Sequence, residues 1–342
     1  MALDPHTPVV VGVGQTLRRL ESAAGASEPV DMMADALRIA ADDSGAGNRL
    51  LERADSIRVI EVLSWRYPNP AALVAQRVGA SPREEIRSTT GGNSPQMVLN
   101  DAAAAIQRGD LDVVLLTGAE AMYTRVLARK NRDWLEWTSQ PEDATTAARR
   151  LGDDGAGTND IEMARSIALP TQVYPIFENA VRAAAGEGID EHQEKVARLW
   201  ARFSEVGAAN PHAWTPVARS ADEIRTVTPD NRMIGFPYPK YMNSNLQTDQ
   251  AAAVVLCSVE AARAVGIAED RWVFPWSGAD AHDHWWVSER ENLHSSPAIG
   301  AAGRALFALA GRGVDDVAHV DLYSCFPSAV QIAAGELGLS LD

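Results

Sequence analysis

The stretch RSTTGGNSPQ, residues 87–96, predicts a strand that runs through a tight turn into a helix. Enzymes often place a nucleophile at such a turn, because the first amide groups of the helix stabilise negative charge on a bound oxygen. Here Gly91 and Gly92 occupy the turn, with Ser94 as the expected N-cap and Pro95 as the first helical residue. The Gly92 turn can therefore polarise a carbonyl group through its backbone N–H, but no side chain on it can attack.

A second set of reactive side chains ends the apolar run of DLYSCF, residues 321–326. Tyr323, Ser324 and Cys325 stand where a predicted strand ends, and side chains at the carboxyl end of a parallel strand often line a site. Cys325 has an alternative interpretation as a buried structural thiol, because unpaired cysteines are among the most buried residues. Both interpretations of Cys325 remain open from the sequence.

A third candidate is a cluster of positive charge in YTRVLARKNR, residues 123–132. Arg125, Arg129, Lys130 and Arg132 fall within one or two helical turns of a chain whose formal charge is −15. This cluster is the best candidate in the sequence for holding a phosphorylated ligand. The alternative is an ordinary solvated helix face, which is the usual role of a run of charges.

Several other motifs indicate no chemistry. Gly12 and Gly14 in VVVGVGQT form part of a dinucleotide fingerprint, but Leu17 holds the third glycine position, so a plain strand-to-loop turn is expected. The HDH at 282–284 lacks further ligands to complete a metal site, and none is expected. The run GDDGAGTND at 152–160 lacks the ligand order of a calcium loop. The sequence contains no nucleophile elbow and no Walker loop.

Composition excludes several classes of protein. A formal charge of −15 and a pI near 4.9 argue against binding to nucleic acid or to an anionic membrane, so any anionic ligand needs a local basic patch. The two cysteines offer no disulfide framework and suit a reducing cytoplasm. The N-terminal residues show no secretory signal, and no apolar stretch is predicted to span a membrane.

Apolar strands alternate with helices at both ends of the sequence, which predicts an α/β fold with a largely parallel sheet covered on both faces. The middle of the chain, residues 123–247, breaks this alternation and is predicted to be an inserted helical lobe. The predicted strands are 8–13, 56–63, 85–90, 112–117, 250–258, 271–276 and 317–323. The predicted helices are 30–41, 71–78, 95–107, 173–186, 191–206, 297–310 and 328–337.

Three of these stretches together resemble the thiolase superfamily: the strand with its glycine turn and helix, RGDLDVVLLTGAEAM, and VDLYSCF. The sequence is most similar to the thiolase-like proteins of the acetyl-CoA acetyltransferase and sterol-carrier-protein-2 thiolase type. The resemblance implies a thiolase-like, layered α/β core with an inserted helical lobe and an incomplete second half. It divides the chain into a first core half (1–122 and 248–266), a CoA-side lobe (123–247) and a partial second half (267–342).

The resemblance also implies roles for individual residues. The position of the family's nucleophilic cysteine corresponds to Gly92. The strand-end motif of the sterol-carrier branch corresponds to residues 323–326, which include Tyr323 and Ser324. A serine of the family's CoA-side loop falls on Asn245. Arg125 and Arg129 lie at the entrance to the lobe that holds CoA in the family, so they and Asn245 are expected to bind CoA.

The function implied is that of an acyl-CoA-handling protein of the acetyl-CoA acetyltransferase type, with the thioester carbonyl polarised at the Gly92 turn. CoA or acyl-CoA would be its substrate, with no covalently bound cofactor. A glycine cannot form an acyl-thioester, so classical thiolysis is not expected. Two alternatives are a retro-aldolase, a carbon–carbon lyase that uses Tyr323 as acid or base, and a non-catalytic carrier of CoA or acyl chains.

The resemblance further implies that the family's acid/base histidine and second cysteine would follow residue 342. A second polypeptide, or self-association, is therefore expected to complete the second half. No nucleic acid or membrane is expected among the partners.

Overall fold

A computed structural model of the chain describes residues 3–141 and 148–341. Contacts between residues divide the chain into two compact units. The first unit comprises Met1–Asp154 and Leu246–Trp276, and the second comprises Gly155–Asn245 and Ser277–Asp342. The α/β class predicted from the sequence is confirmed. The division into two core halves and a lobe at 123–247 stays a prediction.

The first unit holds six strands and six helices among its described residues. Its strands are Pro8–Leu17 (β1), Ser56–Val59 (β2), Glu84–Ser88 (β3), Val113–Ala121 (β4), Ala148–Leu151 (β5) and Asp249–Ser258 (β8). Its helices are Pro29–Asp43 (α1), Asn48–Leu51 (α2), Pro70–Val78 (α3), Ser94–Gln107 (α4), Met122–Asn131 (α5) and Val259–Ala264 (α10).

These strands form one mixed sheet in the order β1-β8-β4-β2-β3-β5. The four strands from β4 to β5 run parallel, as predicted, but β8 is antiparallel to both of its neighbours. The prediction of a largely parallel sheet is therefore only partly right. Strand β8 is apolar along most of its length. Such a pattern in the sequence does not show whether the strand is parallel or antiparallel to its neighbours.

Helix α1 packs on the face of β1 with unusually close backbone contact. A Cβ atom at Gly12 would overlap the carbonyl oxygen of Ala40, and one at Gly14 would overlap that of Ala36. The two glycines are therefore needed for the approach of the helix. This packing gives the partial dinucleotide fingerprint a structural role. The strand-to-loop turn expected at these glycines is wrong, because β1 continues through both of them to Leu17 and pairs with β8.

The second unit is mainly helical. Its helices are Asp160–Ala164 (α6), Pro170–Ala185 (α7), Ile189–Ala209 (α8), Ala221–Arg225 (α9), Pro297–Ala310 (α11) and Pro327–Leu337 (α12). Two short strands, Met233–Gly235 (β6) and Tyr238–Pro239 (β7), pair antiparallel. Aromatic rings of α7, β7 and the start of α12 pack together, with Tyr174 stacked on Phe326 at 4.3 Å between ring centroids.

Two predicted strands, 271–276 and 317–323, are wrong. In the first, Val273 makes only an isolated bridge to Val10. The second pairs with no strand in the described part of the chain, and its residues are mostly exposed. A strand needs a hydrogen-bonding neighbour, which an apolar pattern alone does not supply. No helix among the described residues has the length and apolar character needed to cross a bilayer.

We expect Gly14→Ala to destabilise the protein by about 1–3 kcal/mol or more, because its methyl group would force α1 away from β1. Gly207→Ala is the matched control, since a Cβ at Gly207, within α8, meets no atom within 4 Å. That control should be neutral or stabilising by up to about 1 kcal/mol. Urea unfolding of both variants measures the effect, and equal stabilities would contradict the packing described here.

Candidate functional site

The glycine turn connects β3 to α4 and is exposed to solvent. Neither Gly91 nor Gly92 has a positive φ, so the turn does not use the backbone freedom of glycine. Ser94 is the first residue of α4 and not its N-cap, and its hydroxyl donates to the carbonyl of Thr89 at 2.8 Å. The N–H groups of Gly92 and Asn93 find no acceptor among the described residues, so they can donate to a bound oxygen.

Helix α4 is held against the sheet by a buried arginine. The side chain of Arg58 on β2 is only 1% exposed. Its guanidinium donates to the carbonyl of Val98 at 3.2 Å and to the carboxylate of Asp101 at 2.6 Å. A second carboxylate, that of Glu84 on β3, lies 3.4 Å from the same guanidinium, so the buried charge has a partner on the sheet as well as on the helix. Arg58 therefore fixes the helix that carries the glycine turn.

A cavity of about 460 Å³ opens in the first unit, next to the carboxyl ends of β2 and β4. Ligands commonly bind at this edge of a parallel sheet. Gly92 is not among the residues that line it. The lining residues are Glu61, Val62, Leu63, Ser64, Trp65, Arg66, Pro68, Arg125, Ser139 and Gln140.

Hydrogen bonds fix both walls of the cavity. On one wall, the carboxylate of Glu120 on β4 accepts from the N–H groups of Leu63 at 2.7 Å and Ser64 at 2.8 Å. On the other wall, the amide of Gln140 pairs reciprocally with the backbone of Asn69, with both distances at 2.8 Å. The cavity is therefore preformed by the chain itself.

Glu61 is the group in the cavity wall whose pKa is shifted by its surroundings. Arg87 Nε lies 3.1 Å from Glu61 Oε2, yet this buried oxygen accepts no well-aligned hydrogen bond from the described residues. Burial raises the pKa of Glu61, although Arg87 acts in the opposite direction. A carboxyl group whose pKa is raised inside a cavity is a candidate for binding or for proton transfer.

The second unit contains a cluster of hydroxyl and thiol groups around the predicted residue Tyr323. The hydroxyl groups of Tyr323 and Tyr174 lie near the Cys325 thiol, close enough for each group to affect the pKa of the others. Burial, with Cys325 as a further cause, raises the pKa of Tyr323 to about 12. Burial also raises the pKa of Cys325. These groups are protonated at neutral pH, so they can donate protons but are poor nucleophiles.

The structure brings two of the predicted site segments together. The N–H of Ser244, next to Asn245, donates to the carbonyl of Cys325 at 3.1 Å. Ser324 and Asn245 are both exposed beside this bond. Gly92, Arg125 and Arg129 belong to the first unit, whereas Tyr323, Ser324 and Asn245 belong to the second.

A buried polar network supports the segment that carries Tyr323. His192 on α8 lies between two carboxylates, with Nε2 2.5 Å from Glu178 and Nδ1 2.5 Å from Glu187. Glu178 also accepts from the Tyr238 hydroxyl at 2.5 Å, and that hydroxyl is 3.0 Å from the Ser328 hydroxyl in the first turn of α12. The network therefore fixes the helix that begins four residues after Tyr323.

The charge of His192 is set by two opposing effects. Its side chain is 2% exposed, and burial alone would lower the pKa. The hydrogen bonds that the ring donates to Glu178 and Glu187, together with the negative charge of these groups, outweigh burial, so the pKa of His192 is raised. His192 is therefore the cation that balances the two carboxylates inside the second unit.

The HDH sequence has a structural role. The carboxylate of Asp283 accepts from the hydroxyl of Ser296 at 2.5 Å and from the N–H of Ala298 at 3.0 Å, which holds the start of α11. The ring of His282 stacks on Trp285 with 6.1 Å between centroids. Across residues 3–141 and 148–341, no three His, Cys, Asp or Glu side chains lie close enough to hold a metal ion.

Sequence analysis missed Glu61 and the Glu178–His192 pair. Glu61 had a usable signal, because it lies two residues after the buried strand β2, at the carboxyl edge of the sheet. Glu178 and His192 gave no such signal, since each lies in a helix that reads as an ordinary amphipathic element. Their pairing depends on how the two helices pack.

Comparison with solved structures shows that the fold is thiolase-like. A monomeric SCP2-thiolase like protein type 1 from Mycobacterium smegmatis is 31% identical, with a TM-score of 0.82. The alignment covers 100% of this chain but only 65% of that protein, so the chain spans about two thirds of its length. The thiolase-like fold expected from the sequence is confirmed.

Two more distant structures share the fold. One is an aldolase, Ltp2-ChsH2(DUF35), at 19% identity and a TM-score of 0.72, with coverage of 98% of this chain and 77% of that one. The other is acetyl-CoA acetyltransferase from Syntrophomonas wolfei, at 18% identity and a TM-score of 0.61, with coverage of 98% of this chain and 83% of that one. No protein-family model and no curated protein matches the sequence.

We expect His192→Gln to destabilise the protein by about 3–5 kcal/mol at pH 6, because two carboxylates lose their buried cation. The folded pKa of His192 is raised above about 6.5, its value in the unfolded chain. Its contribution is therefore complete below pH 6.5 and is lost as the pH rises through the folded pKa.

Urea unfolding of wild type and variant between pH 6 and pH 9 measures this difference. His212→Gln, at an exposed histidine of the same unit, is the control and should show no such trend. A stability difference that grows as the pH rises would contradict the assignment of His192 as the balancing cation.

Proposed function

We propose that this chain binds acyl-CoA thioesters and acts on them without forming a covalent acyl-enzyme. The observation that carries the proposal is Gly92, exposed at the start of α4 with its N–H unpaired in the described structure, in a thiolase-like fold. The family resemblance places the nucleophile at this position. A thioester oxygen that accepts from this N–H would be polarised by the helix start, with no side chain to take the acyl group.

The two cysteines do not replace the missing nucleophile. Cys257 is buried in the core of the first unit, and burial raises its pKa to about 12. Burial also raises the pKa of Cys325, which lies near two tyrosine hydroxyls. Because the thiolate is the attacking species, neither thiol is expected to accept an acyl group at neutral pH. In this proposal Arg125, Arg129 and Asn245 contact CoA.

The Tyr323 cluster favours a second candidate function, retro-aldol cleavage of a β-hydroxyacyl-CoA. In this reaction the β-hydroxyl gives its proton to solvent water, the Cα–Cβ bond breaks to form a carbonyl group at Cβ, and the electron pair goes to Cα as a thioester enolate. Tyr323, protonated at neutral pH, would then supply a proton to Cα and regain one from solvent. One structure with this fold is named an aldolase, which supports the candidate.

We expect no acyl adduct on the wild-type protein after incubation with acetyl-CoA, and no thiolysis of acetoacetyl-CoA. Gly92→Cys should introduce an acylated cysteine, because a thiol at a helix N-terminus has a lowered pKa and becomes more reactive. Intact-protein mass spectrometry, with peptide mapping of the adduct, measures both outcomes.

Gly157→Cys is the matched control, since Gly157 is exposed and a Cβ there meets no atom within 4 Å. An adduct on Gly157→Cys equal to that on Gly92→Cys would indicate non-specific acylation. An acyl group on Cys257 or Cys325 of the wild type would reject the non-covalent proposal.

For the second candidate, we expect Tyr323→Phe to reduce cleavage of a β-hydroxyacyl-CoA by about 10²-fold or more, which is the usual contribution of one general acid. Tyr241→Phe, at a tyrosine that stacks on Arg219, is the control and should keep full activity. Release of the carbonyl product measures the rate. If the wild type binds acyl-CoA but cleaves none, the carrier function replaces the lyase.

A further inference from the structure

The short edge strand β5 contacts both the strand and the helix between which the glycine turn lies. It pairs parallel with β3, where Leu151 stands opposite Ser88. Its Arg149 extends to Asp101 on α4, with 3.3 Å between Arg149 Nη2 and Asp101 Oδ2. The strand is therefore joined to the element before the turn and to the element after it. We term residues 148–152, which are β5 and the glycine after it, the strap.

The charges of the strap suit a strand at the edge of a sheet. Arg149 and Arg150 are exposed, and they belong to the outermost strand of the six. Charged side chains on such a strand hinder its pairing with another chain. This role accounts for the two arginines, but it places no demand on the residue that follows Leu151. Gly152 therefore needs a different explanation.

Gly152 occupies a position that a residue with a side chain cannot fill without strain. Its φ is 107°, a value that residues with a Cβ atom rarely adopt. A Cβ atom there would also lie 2.2 Å from Thr89 Oγ1 and 3.0 Å from the terminal methyl carbon of Met97 on α4. Backbone conformation and space thus exclude a side chain independently. The absence of a side chain lets the strap lie directly against Thr89 and α4.

Thr89 is the residue through which the strap reaches the glycine turn. Its N–H donates to the carbonyl of Leu151 at 2.8 Å. Its own carbonyl accepts from the hydroxyl of Ser94 at 2.8 Å and from that of Ser88 at 2.9 Å. The bond to Ser94 closes the turn, residues 90–93, at its base. Thr89 is only 5% exposed, so this base is enclosed by the strap on one side and by α4 on the other.

The exposed residues 90–93 contribute few bonds of their own. The N–H of Ser94 donates to the carbonyl of Gly91 at 3.1 Å, while the N–H of Gly92 has no acceptor within residues 3–141 and 148–341. The direction of the Gly92 N–H is therefore set by where Thr89 and Ser94 hold the two ends of the turn. A donor polarises a bound oxygen only at hydrogen-bond distance and alignment, so a displaced end would weaken it.

We propose that Gly152 is a positioning residue for the Gly92 N–H. Gly152 lets the strap lie against Thr89, and Thr89 holds the turn through its bond to Ser94. The use of this N–H to polarise a thioester rests on the proposed function. The positioning of the turn does not, because it depends only on contacts within the first unit.

The first experiment uses the Gly92→Cys variant, whose thiol pKa reports how well the amide groups at the start of α4 are aligned. The rate of alkylation by iodoacetamide against pH, with peptide mapping of the modified cysteine, gives that pKa. We expect a value below about 8.5, that of a free cysteine, because the start of a helix lowers it. Addition of Gly152→Ala should raise that pKa by about 0.5 or more, towards the value of a free cysteine.

Two control variants separate positioning from a general loss of stability. Gly157→Ala changes an exposed glycine with open space around its Cβ position, and should leave the thiol pKa of Gly92→Cys unchanged. Gly14→Ala disturbs β1, at the opposite edge of the sheet from the strap, and should also leave that pKa unchanged in the folded protein. If Gly14→Ala raises the pKa as much as Gly152→Ala does, the effect is general and the positioning role is overturned.

A measurement on the wild type keeps the test independent of whether the variant folds. Amide hydrogen exchange should show that the N–H of Thr89 is protected by its bond to Leu151, while the N–H of Gly92 exchanges fast. Equal exchange rates at the two positions would overturn the strap as the support of the turn. An unchanged thiol pKa in a folded Gly92→Cys/Gly152→Ala variant would overturn it as well.

The positioning role and the proposed function fail in different ways. A hydrogen bond from Gly92 lowers the infrared carbonyl stretching frequency of bound acetyl-CoA, and Gly152→Ala should diminish that shift. An equal shift in the wild type and in Gly152→Ala would overturn the positioning role and leave acyl-CoA binding intact. If the wild type binds no acetyl-CoA but Gly152→Ala raises the thiol pKa as expected, the positioning role stands and the proposed function fails.

Discussion

The buried carboxylate of Glu28 is the interaction on which the cavity of the first unit most depends. It accepts from the Tyr67 hydroxyl at 2.8 Å, and from the N–H and hydroxyl of Thr138 at 2.8 Å and 2.6 Å. Arg77 on α3 completes the set of donors as an ion pair. Glu28 stands at the N-cap of α1, so one side chain joins two helices to the segment that follows α5.

The position of Glu28 has an energetic consequence for the cavity. Glu28 is 5% exposed, and a carboxylate so deeply buried is tolerated only when all its acceptor sites are satisfied. Thr138 in turn accepts a hydrogen bond at its carbonyl from the indole N–H of Trp65, at 2.9 Å. Trp65 and the residues after Thr138 line the cavity, so its shape is set by buried polar bonds and not by apolar packing alone.

The second unit also contains a buried polar network, and there the network supports a helix. Its buried network of Glu178, His192 and Tyr238 contains both signs of charge, and it anchors α12 through the Ser328 hydroxyl. The helix anchored in this way begins just after the segment with Tyr323, whose phenol is protonated over the whole neutral range. The buried network therefore supports, at one step removed, the segment that carries the Tyr323 phenol.

The sequence predicted most strands of the first unit, because β1, β2, β4 and β8 are largely buried and apolar. It missed β5, whose central residues are two exposed arginines and which is recognised as a strand only by its pairing with β3. It failed at 271–276 and 317–323, where the residues are apolar but no ladder forms. It also placed Ser94 at the N-cap, whereas the helix begins at Ser94 itself. Capping and pairing depend on neighbours in space, which residue type alone does not specify.

The residues of the candidate site could likewise be predicted only in part from the sequence. The cluster of Arg125 and Arg129 was visible as a run of charge, but the sequence could not distinguish a ligand site from a solvated helix face. The predictions for Gly92, Tyr323 and Asn245 came from the family resemblance, and their roles stay predictions.

The acidity of the chain and the positive charge on α5 act in opposite directions on an anionic ligand. A polyanion is repelled at long range by a protein of formal charge −15, and salt screens that repulsion over about 10 Å at 0.1 M. Close to the surface, Arg125, Arg129 and Lys130 place positive charge along α5, and a local group of cations attracts an anion in spite of the net charge. Arg125 also lines the cavity, so the binding of acyl-CoA that we propose would bring the phosphates to this positive charge and the acyl group towards the cavity. The net negative charge disfavours a long nucleic acid, because such a ligand would have to contact much more of the acidic surface.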